Sequence, residues 1–307
     1  MLEMHLQQLG GNNSPSFPLL TGNYKQLATA SVPRDSHNTE HIDGKFYSIG
    51  GSYNTTLNSV MEVYDLETNV WSTLVSQNPP PVRQGAASCV LDGKLYLFAG
   101  SGGPIWSPML KDAYCFDPET GAWTRLADLP YYVALHSAVA ILGKIYLMGG
   151  FNGSSPINTL AEYNPATDTW RNIPNPQGFQ HGHSAHVINN RMFLVGGVAG
   201  SALLNRCVAY DPVTDTWTTY ASSPLGNTYH YAGALGRYIY MFGGSYNSNT
   251  THHNRLFRFS LDSNAWIELP AGASARYFGD GVITDKALYL HGGLIGTTLQ
   301  GELWEIT

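Results

Sequence analysis

Charged residues are scarce in this chain. Asp, Glu, Lys and Arg make up 12% of the 307 residues, about half of the usual share of about 25%. Long solvent-exposed helices laced with ion pairs are therefore not expected. The 16 Lys and Arg residues and the formal net charge of -6 offer no basic surface to a phosphate backbone, which argues against nucleic acid as a partner.

The chain is also poor in cysteine and in long apolar runs. Cys89, Cys115 and Cys207 have no Cys-x-x-Cys spacing and cannot all pair, so neither a disulfide framework nor a zinc knuckle is indicated. No apolar run approaches the roughly 18 residues that span a bilayer, and the segment from Met1 to Gly11 lacks a basic stretch followed by an apolar core. We expect a soluble chain with no signal peptide and no membrane partner, and its compartment stays open.

Aromatic residues and glycine, by contrast, are plentiful and periodic. Five tryptophans recur every 47 to 52 residues, at Trp71, Trp123, Trp170, Trp217 and Trp266. Seven residues before each of them stands another aromatic residue: Tyr64, Phe116, Tyr163, Tyr210 and Phe259. About 20 residues before each tryptophan stands a small pair: Gly50-Gly51, Ala99-Gly100, Gly149-Gly150, Gly196-Gly197 and Gly243-Gly244. A fixed period of this length indicates a repeat architecture.

Each period has the pattern of four antiparallel strands. Apolar strands such as Lys45–Ile49 precede the small pair and follow a tight turn such as Asp43-Gly44, which is the signature of a hairpin. The segment Asp117–Gly121 forms a second tight turn, between the strand of the aromatic residue and the strand of the tryptophan. A lone four-stranded sheet must bury its faces on neighbours, and radial stacking achieves this. The sequence therefore predicts an all-β fold, a β-propeller of four-stranded antiparallel blades.

These residues resemble the kelch repeat, in which a Gly-Gly pair is followed by a Tyr and a Trp in a unit of about 50 residues. The resemblance covers residues 24 to 307, and Ala99, Phe116 and Phe259 are small steric departures from it. It implies a ligand-bearing face near the axis, formed by the loops between second and third strands and by the connections between blades. The glycines are expected to let the large rings lie close against the backbone of their own blade.

The two ends of the chain predict how the ring closes. A sixth pair, Gly292-Gly293, has no tryptophan about 20 residues after it, and the chain stops at a third strand within residues 302–307. Residues 23–28 occupy the place of a fourth strand before the first unit. We predict six blades, the last of them completed by this N-terminal strand, which removes the free sheet edges. The domain prediction is an N-terminal tail over 1–20 and a propeller over 21–307, and a closed ring predicts a monomer.

Aligning the units on their glycine pairs places equivalent residues in columns around the axis. One column has arginine at Arg34, Arg83 and Arg276, in blades one, two and six, which are neighbours in a closed ring. Guanidinium groups bind carboxylates in a bidentate manner, so these residues are candidates for holding an acidic ligand. The alternative is a structural role, in which they pair with loop carbonyls or with Asp35.

A second column has histidine at His37, His136, His183 and His230. Converging imidazoles bind a transition metal when their ring nitrogens approach it to about 2.1 Å. Equivalent positions on adjacent blades are too far apart for three of them to share one ion unless they lie close to the axis, and no carboxylate recurs beside them. A hydrogen-bonding role, structural or toward a ligand, is favoured, and no metal or cofactor is predicted.

Aromatic residues in the loops of the same face complete the predicted site. Trp106, Tyr132 and Tyr229 are rings of the kind that anchor protein partners and sugars. The predicted function is a non-catalytic binding module. It would recognise a peptide or a glycan, acidic if the arginines bind it, on the axial face through the arginine column, the histidine column and these rings.

An enzyme acting on sugars or small acids is the alternative function. Tyr229-His230 resembles the Tyr-His pair of the galactose and glyoxal oxidases, whose copper chemistry implies a Tyr joined to a Cys, but all three cysteines fall on strand positions. The sialic acid mutarotase class is a further kelch relative. It implies an arginine clamp and an acid/base group, for which Glu40 and Asp280 qualify. No complete catalytic set is visible, so the enzyme question stays open and a binding role is preferred.

Overall fold

The computed structural model describes residues 17–53, 56–103, 106–175, 178, 180–246 and 251–307. In this part of the chain the repeats form six sheets, each with four antiparallel strands in sequential order. The first strand of each sheet contacts the first strands of the sheets before and after it, in a closed circuit. The first strands are therefore innermost, and the predicted six-bladed propeller is confirmed.

The strands of blades one to three are given from the inner to the outer edge. Blade one consists of Asp35–Ile42, Lys45–Tyr53, Met61–Asp65 and Val70–Leu74, with the short strand Thr56–Leu57 paired to the second. Blade two consists of Ala87–Leu91, Lys94–Phe98, Ala113–Asp117 and Ala122–Leu126. Blade three consists of Ser137–Ile141, Lys144–Met148, Leu160–Asn164 and Thr169–Asn172.

The strands of blades four to six follow the same order. Blade four consists of Ser184–Ile188, Arg191–Val195, Cys207–Asp211 and Thr216–Tyr220. Blade five consists of Tyr231–Leu235, Tyr238–Phe242, Leu256–Ser260 and Ala265–Leu269. Blade six consists of Asp280–Ile283, Leu288–His291, Leu303–Ile306 and, outermost, Tyr24–Gln26. In blades four, five and six, the loop between the second and third strands contains a small hairpin whose strands are two residues long. These hairpins are Val198–Ala199 with Ala202–Leu203, Ser245–Tyr246 with Thr251–His252, and Leu294–Ile295 with Thr298–Leu299.

The N-terminal strand closes the ring, as the sequence predicts. Tyr24–Gln26 pairs with the last strand of the chain, and the amide of Thr307 donates to the carbonyl of Asn23 at 3.0 Å. In the segment predicted as a tail, Leu20 is buried and its amide donates to the Tyr240 hydroxyl at 3.1 Å. Residues 17–20 therefore lie against the propeller, whereas residues 1–16 are outside the described part of the chain.

The core is divided among the six interfaces between blades. Each of the six hydrophobic clusters joins residues of two adjacent blades. Between blades six and one, for example, Phe46 packs edge-on against Tyr289, with 4.7 Å between the ring centroids. Side chains on the two sides of a blade thus serve two different interfaces, and each blade depends on its neighbours for its burial.

The tryptophan of the aromatic pair ties the outer hairpin to the preceding blade in three blades, through Trp71, Trp170 and Trp266. Tyr64 and Trp71 are cross-strand partners with 5.2 Å between their ring centroids. The Trp71 indole N–H donates to the Ala28 carbonyl at 2.8 Å, and Ala28 lies on the segment that leads from blade six into blade one. The Tyr64 hydroxyl donates to the Asn69 side chain at 2.7 Å, which also accepts from the Ala28 amide at 3.0 Å.

The first glycine of each Gly-Gly pair serves a contact between blades. Gly50 has a φ of 69°, and a Cβ atom placed on it would lie 2.7 Å from the carbonyl oxygen of Arg83 in the next blade. The expectation that the pair makes room for the rings of its own blade is therefore wrong at this position. Glycine is needed because the backbones of two blades approach each other here.

No helix among the described residues is long and apolar enough to cross a bilayer.

Candidate functional site

Six equivalent residues form a closed ring of backbone hydrogen bonds around the axis. This axial ring consists of Ser36, Gly85, Leu135, Gly182, Tyr229 and Phe278. All six have a left-handed backbone, with φ from 52° to 62°. Each amide donates to the carbonyl of the equivalent residue in the preceding blade, over distances of 2.7 to 3.1 Å, and the bond from Ser36 to Phe278 closes the circuit. The axial face is the side of the propeller that carries this ring and the loops between second and third strands.

Half-buried rings surround the axis on this face. Tyr229 stacks on Phe278, with 4.0 Å between centroids and 29° between planes. The Tyr229 hydroxyl also shares a 3.1 Å hydrogen bond with Nδ1 of His181. On the other side Trp106 covers Gly85, where a Cβ atom would lie 2.5 Å from the indole ring and 3.2 Å from Leu135. The glycine at position 85 thus makes room for the tryptophan.

The structure brings together two of the three predicted loop aromatics. Tyr229 is a member of the axial ring, and Trp106 lies directly on it. Tyr132 is 53% exposed and stands beneath the ammonium group of Lys111, 5.5 Å from its ring centroid. It is available to a ligand, but at a different place from the axial ring.

The three predicted arginines are buried beneath the face and form ion pairs within their own blades. The pairs are Arg34 with Glu62 at 2.5 Å, Arg83 with Asp112 at 2.9 Å and Arg276 with Glu302 at 2.9 Å. Arg34 also donates to the Val60 carbonyl at 3.1 Å. This geometry supports the structural alternative, with a correction to the partner: Asp35 accepts instead from the Ser52 hydroxyl. Binding of a ligand by the arginines stays a prediction.

The predicted histidines are wedged between blades. Nε2 of His183 lies 2.7 Å from the Ser137 hydroxyl of the preceding blade, and Nε2 of His230 lies 2.8 Å from that of Ser184. Nε2 of His37 lies 3.1 Å from Nδ1 of His291 in blade six. These three histidines thus make hydrogen bonds between blades, and binding of a ligand by the histidine column stays a prediction. Within the described ranges, no three His, Cys, Asp or Glu residues are grouped as metal ligands.

His136 is the exception in this column. It is 7% exposed, and neither of its ring nitrogens has a hydrogen-bond partner among the described residues. Burial lowers the pKa of His136, His183 and His230 to about 3, because a charged imidazole loses its hydration there. All three rings are therefore neutral at physiological pH.

We expect the free energy of unfolding to fall as the pH is lowered from about 7 to about 5. The ordinary histidine pKa is 6.5, so the unfolded chain takes up protons in this range while the folded chain does not. Replacing His136 with leucine should reduce this pH dependence by up to about 1.4 kcal/mol per pH unit, which urea unfolding at several pH values measures. His252→Leu, at a half-buried ring, is the control and should change the slope less. Equal slopes for wild type and His136→Leu would contradict the expectation.

Glu40 and Asp280, the acid/base candidates of the enzyme alternative, lie on the innermost strands. The Thr39 amide donates to Asp280 at 2.6 Å, and the Ser88 hydroxyl donates to Glu40 at 2.6 Å. Burial raises the pKa of Glu40 to about 8 and that of Asp280 to about 7. These two groups therefore weaken the fold as the pH rises toward those values, which opposes only in part the effect of the more numerous buried histidines between about pH 5 and 7. The mutarotase resemblance implies an arginine clamp beside these two carboxyl groups, but the three arginines pair with Glu62, Asp112 and Glu302 instead.

Of the six members of the axial ring, only Tyr229 is among the predicted site residues. Leu135 and Phe278 are apolar members outside that prediction, although they lie beside the predicted aromatics Trp106 and Tyr229. The sequence gives only a weak indication of the axial ring, because Gly85 and Gly182 are the two of its six residues that favour a positive φ. A left-handed leucine or phenylalanine is uncommon and is not expected from sequence.

The fold and this face define a kelch-type β-propeller, a class whose members are typically protein-interaction modules. The profile of the Attractin/LZTR1 β-propeller matches residues 46–301, and the chain belongs to that family. The spermatocyte protein spe-26 of Caenorhabditis elegans is 30% identical over 42% of this chain and 23% of its own length. Kelch-like protein 25 of Xenopus tropicalis is 29% identical over 41% and 22%, and Kelch-like ECH-associated protein 1A of Danio rerio is 31% identical over 39% and 20%. The matched segments thus span less than a quarter of these relatives.

Proposed function

We propose that this chain is a protein-interaction module that binds a peptide segment of its partner on the axial face. The observation that carries the proposal is the axial ring, which holds Tyr229 and Phe278 half-buried on one side of the axis and Trp106 half-buried on the other. Large amphipathic rings that are partly open to solvent are the residues that most often anchor a protein partner.

Rigidity of the face is the second support for the proposal. The six inter-blade hydrogen bonds of the axial ring fix the backbone on which the rings stand. Tyr229 is further held by its stacking on Phe278 and by its hydrogen bond to His181. Side chains that are already ordered lose little conformational freedom on binding, so more of the contact energy appears as affinity.

The proposal is tested by selecting peptides from a random displayed library on the purified chain and measuring their affinities for variants. Trp106→Ala and Tyr229→Ala should each weaken a selected peptide by about tenfold or more, because each removes a central aromatic anchor. Val213→Ala is the matched control. Val213 is 74% exposed on a turn of the opposite face, and its truncation should leave the affinity unchanged.

Peptides that bind both axial-face variants as tightly as the wild type would sink the proposal. Circular dichroism and thermal unfolding of each variant show whether a lost affinity reflects a lost fold. An enzymatic function has no comparable geometric support, since the buried arginines and inner-strand carboxyl groups form separate contacts.

A further inference from the structure

Charge is distributed unevenly between the two faces of the propeller. The turns of the opposite face are rich in charged side chains, as in blade one with Asp43, Lys45, Asp65 and Glu67. On the axial face, the described residues of four segments include no Asp, Glu, Lys or Arg: 51–53 with 56–60, 150–159, 173–175 with 178 and 180–183, and 221–230. The axial ring itself is built from serine, glycine, leucine, tyrosine and phenylalanine. A partner therefore meets an almost uncharged surface at the axis.

The charged side chains that do occur in the axial loops are already engaged. Five cationic side chains pair with carboxylates: Arg34–Glu62, Arg83–Asp112, Arg276–Glu302, Lys111–Asp128 and Arg255–Glu268. Arg206 instead donates to the neutral side-chain oxygen of Gln180, and Asp35 accepts from Ser52. An acidic ligand would have to compete with a carboxylate already in place at the buried arginines. Separating a buried ion pair leaves one charge uncompensated, which is strongly unfavourable.

The backbone of the axial ring does not offer an anion site either. Successive amides in left-handed conformation often form a concave nest that binds anions. Here all six amides donate to carbonyl groups of the neighbouring blades. These N–H groups are therefore not free to bind a carboxylate or a phosphate.

Apolar groups face each other across the axis. In ring order, Gly85 with its covering Trp106 and then Leu135 stand in blades two and three, while Tyr229 and Phe278 stand in blades five and six. Blades two and three lie opposite blades five and six in a ring of six. The axial face thus has two apolar walls on opposite sides of the axis, Trp106 with Leu135 and Tyr229 with Phe278.

We propose that the axial face recognises a partner segment with apolar side chains and no acidic residue, one apolar side chain being seated between the two walls. This inference rests on the proposed function and specifies its partner. Burial of apolar surface drives such binding, and an acidic residue in the segment loses its hydration without gaining a free cation in return.

The peptides selected from the random library test this inference by composition and by salt dependence. We expect apolar residues to be enriched and Asp and Glu to be depleted in the selected peptides. The dissociation constant should change by less than about twofold between about 50 mM and about 500 mM NaCl, since ion pairing would be screened over this range. Leu135→Ala, on the wall opposite Tyr229, should weaken binding by about tenfold, with Val213→Ala again as the control. Replacing the central apolar residue of a selected peptide with Asp should abolish measurable binding.

Acidic peptides whose binding is lost in Tyr229→Ala and weakens steeply with salt would overturn the inference and leave the proposed function standing. Peptides that are insensitive to every axial-face substitution would overturn the proposed function, and the inference with it. If Leu135→Ala bound the peptides as tightly as the wild type while Tyr229→Ala did not, the seating of an apolar side chain between the two walls would be wrong.

Discussion

Replacing Lys25 with proline is expected to open the ring and to lower the free energy of unfolding by about 3 kcal/mol or more. The Lys25 side chain is 71% exposed, so its replacement removes little packing. In the closing pair of strands, Lys25 stands opposite Glu305, between the bonded positions Asn23 and Leu27. Hydrogen-bonded pairs alternate in an antiparallel ladder, so the Lys25 amide points at the last strand of the chain.

Gln26→Pro is the matched control for this prediction. Gln26 is the next residue, is also exposed, and stands opposite Trp304 in the non-bonded position of the ladder. Its amide points away from the sheet, where proline is tolerated on an edge strand. Denaturant unfolding of the two variants should show a large loss for Lys25→Pro and a small one for Gln26→Pro. Equal losses would mean that the closing ladder does not hold the ring.

Hydrogen exchange should show which blades are destabilised in Lys25→Pro. A closed ring of blades has no end, whereas a ring opened at the last blade has two terminal sheets that unfold first. In Lys25→Pro we expect faster exchange in Leu303–Ile306 and Asp35–Ile42, the strands of blades six and one, than in blade three. Uniformly faster exchange in all blades would contradict local opening.

The number of blades and their closure were predictable because their signals are local or repeated. The pairing of Tyr64 with Trp71 lies within one hairpin, so a spacing of seven residues carries it directly. The sixth unit lacks a tryptophan at the repeat spacing after Gly292-Gly293, and the segment around Tyr24 supplies its fourth strand. The register of Tyr24 with Ile306 confirms that these two ends of the chain form one repeat unit.

Alignment of the repeats shows which positions are equivalent, but it does not predict where their side chains point. Alignment identified Arg34 and His183 as equivalent to residues in other blades, but both point between or within blades, toward Glu62 and Ser137. Side chains on an inner strand alternate between its two neighbouring blades, so a column near the axis need not face the axis. The axial ring depends on an unusual left-handed backbone, which four of its six residues give no sign of in the sequence.

Arg34→Met is expected to destabilise the protein by about 3 to 5 kcal/mol, because it leaves the Glu62 carboxylate buried without its cation. The two side chains are 0% and 1% exposed and 2.5 Å apart. The Ser31 amide, 2.9 Å from Glu62, supplies only part of the lost interaction. Adding Glu62→Leu to Arg34→Met should restore most of the stability, since replacing both members of a buried pair with apolar residues is often nearly neutral. Urea unfolding of the single and double variants measures the coupling between the two residues.

Arg237→Met provides the comparison at an exposed pair. Arg237 and Asp262 are 49% and 58% exposed, and their separation is also 2.5 Å. Solvent screens this pair, so the loss should stay below about 1 kcal/mol. The contrast also separates the two roles considered for the arginine column. If Arg34→Met were as mild as Arg237→Met while a selected acidic peptide lost its affinity, Arg34 would act on a ligand and not on the fold. If stability falls and returns in the double variant, with peptide binding at Tyr229 intact, the buried pair supports the blade on which the axial ring stands.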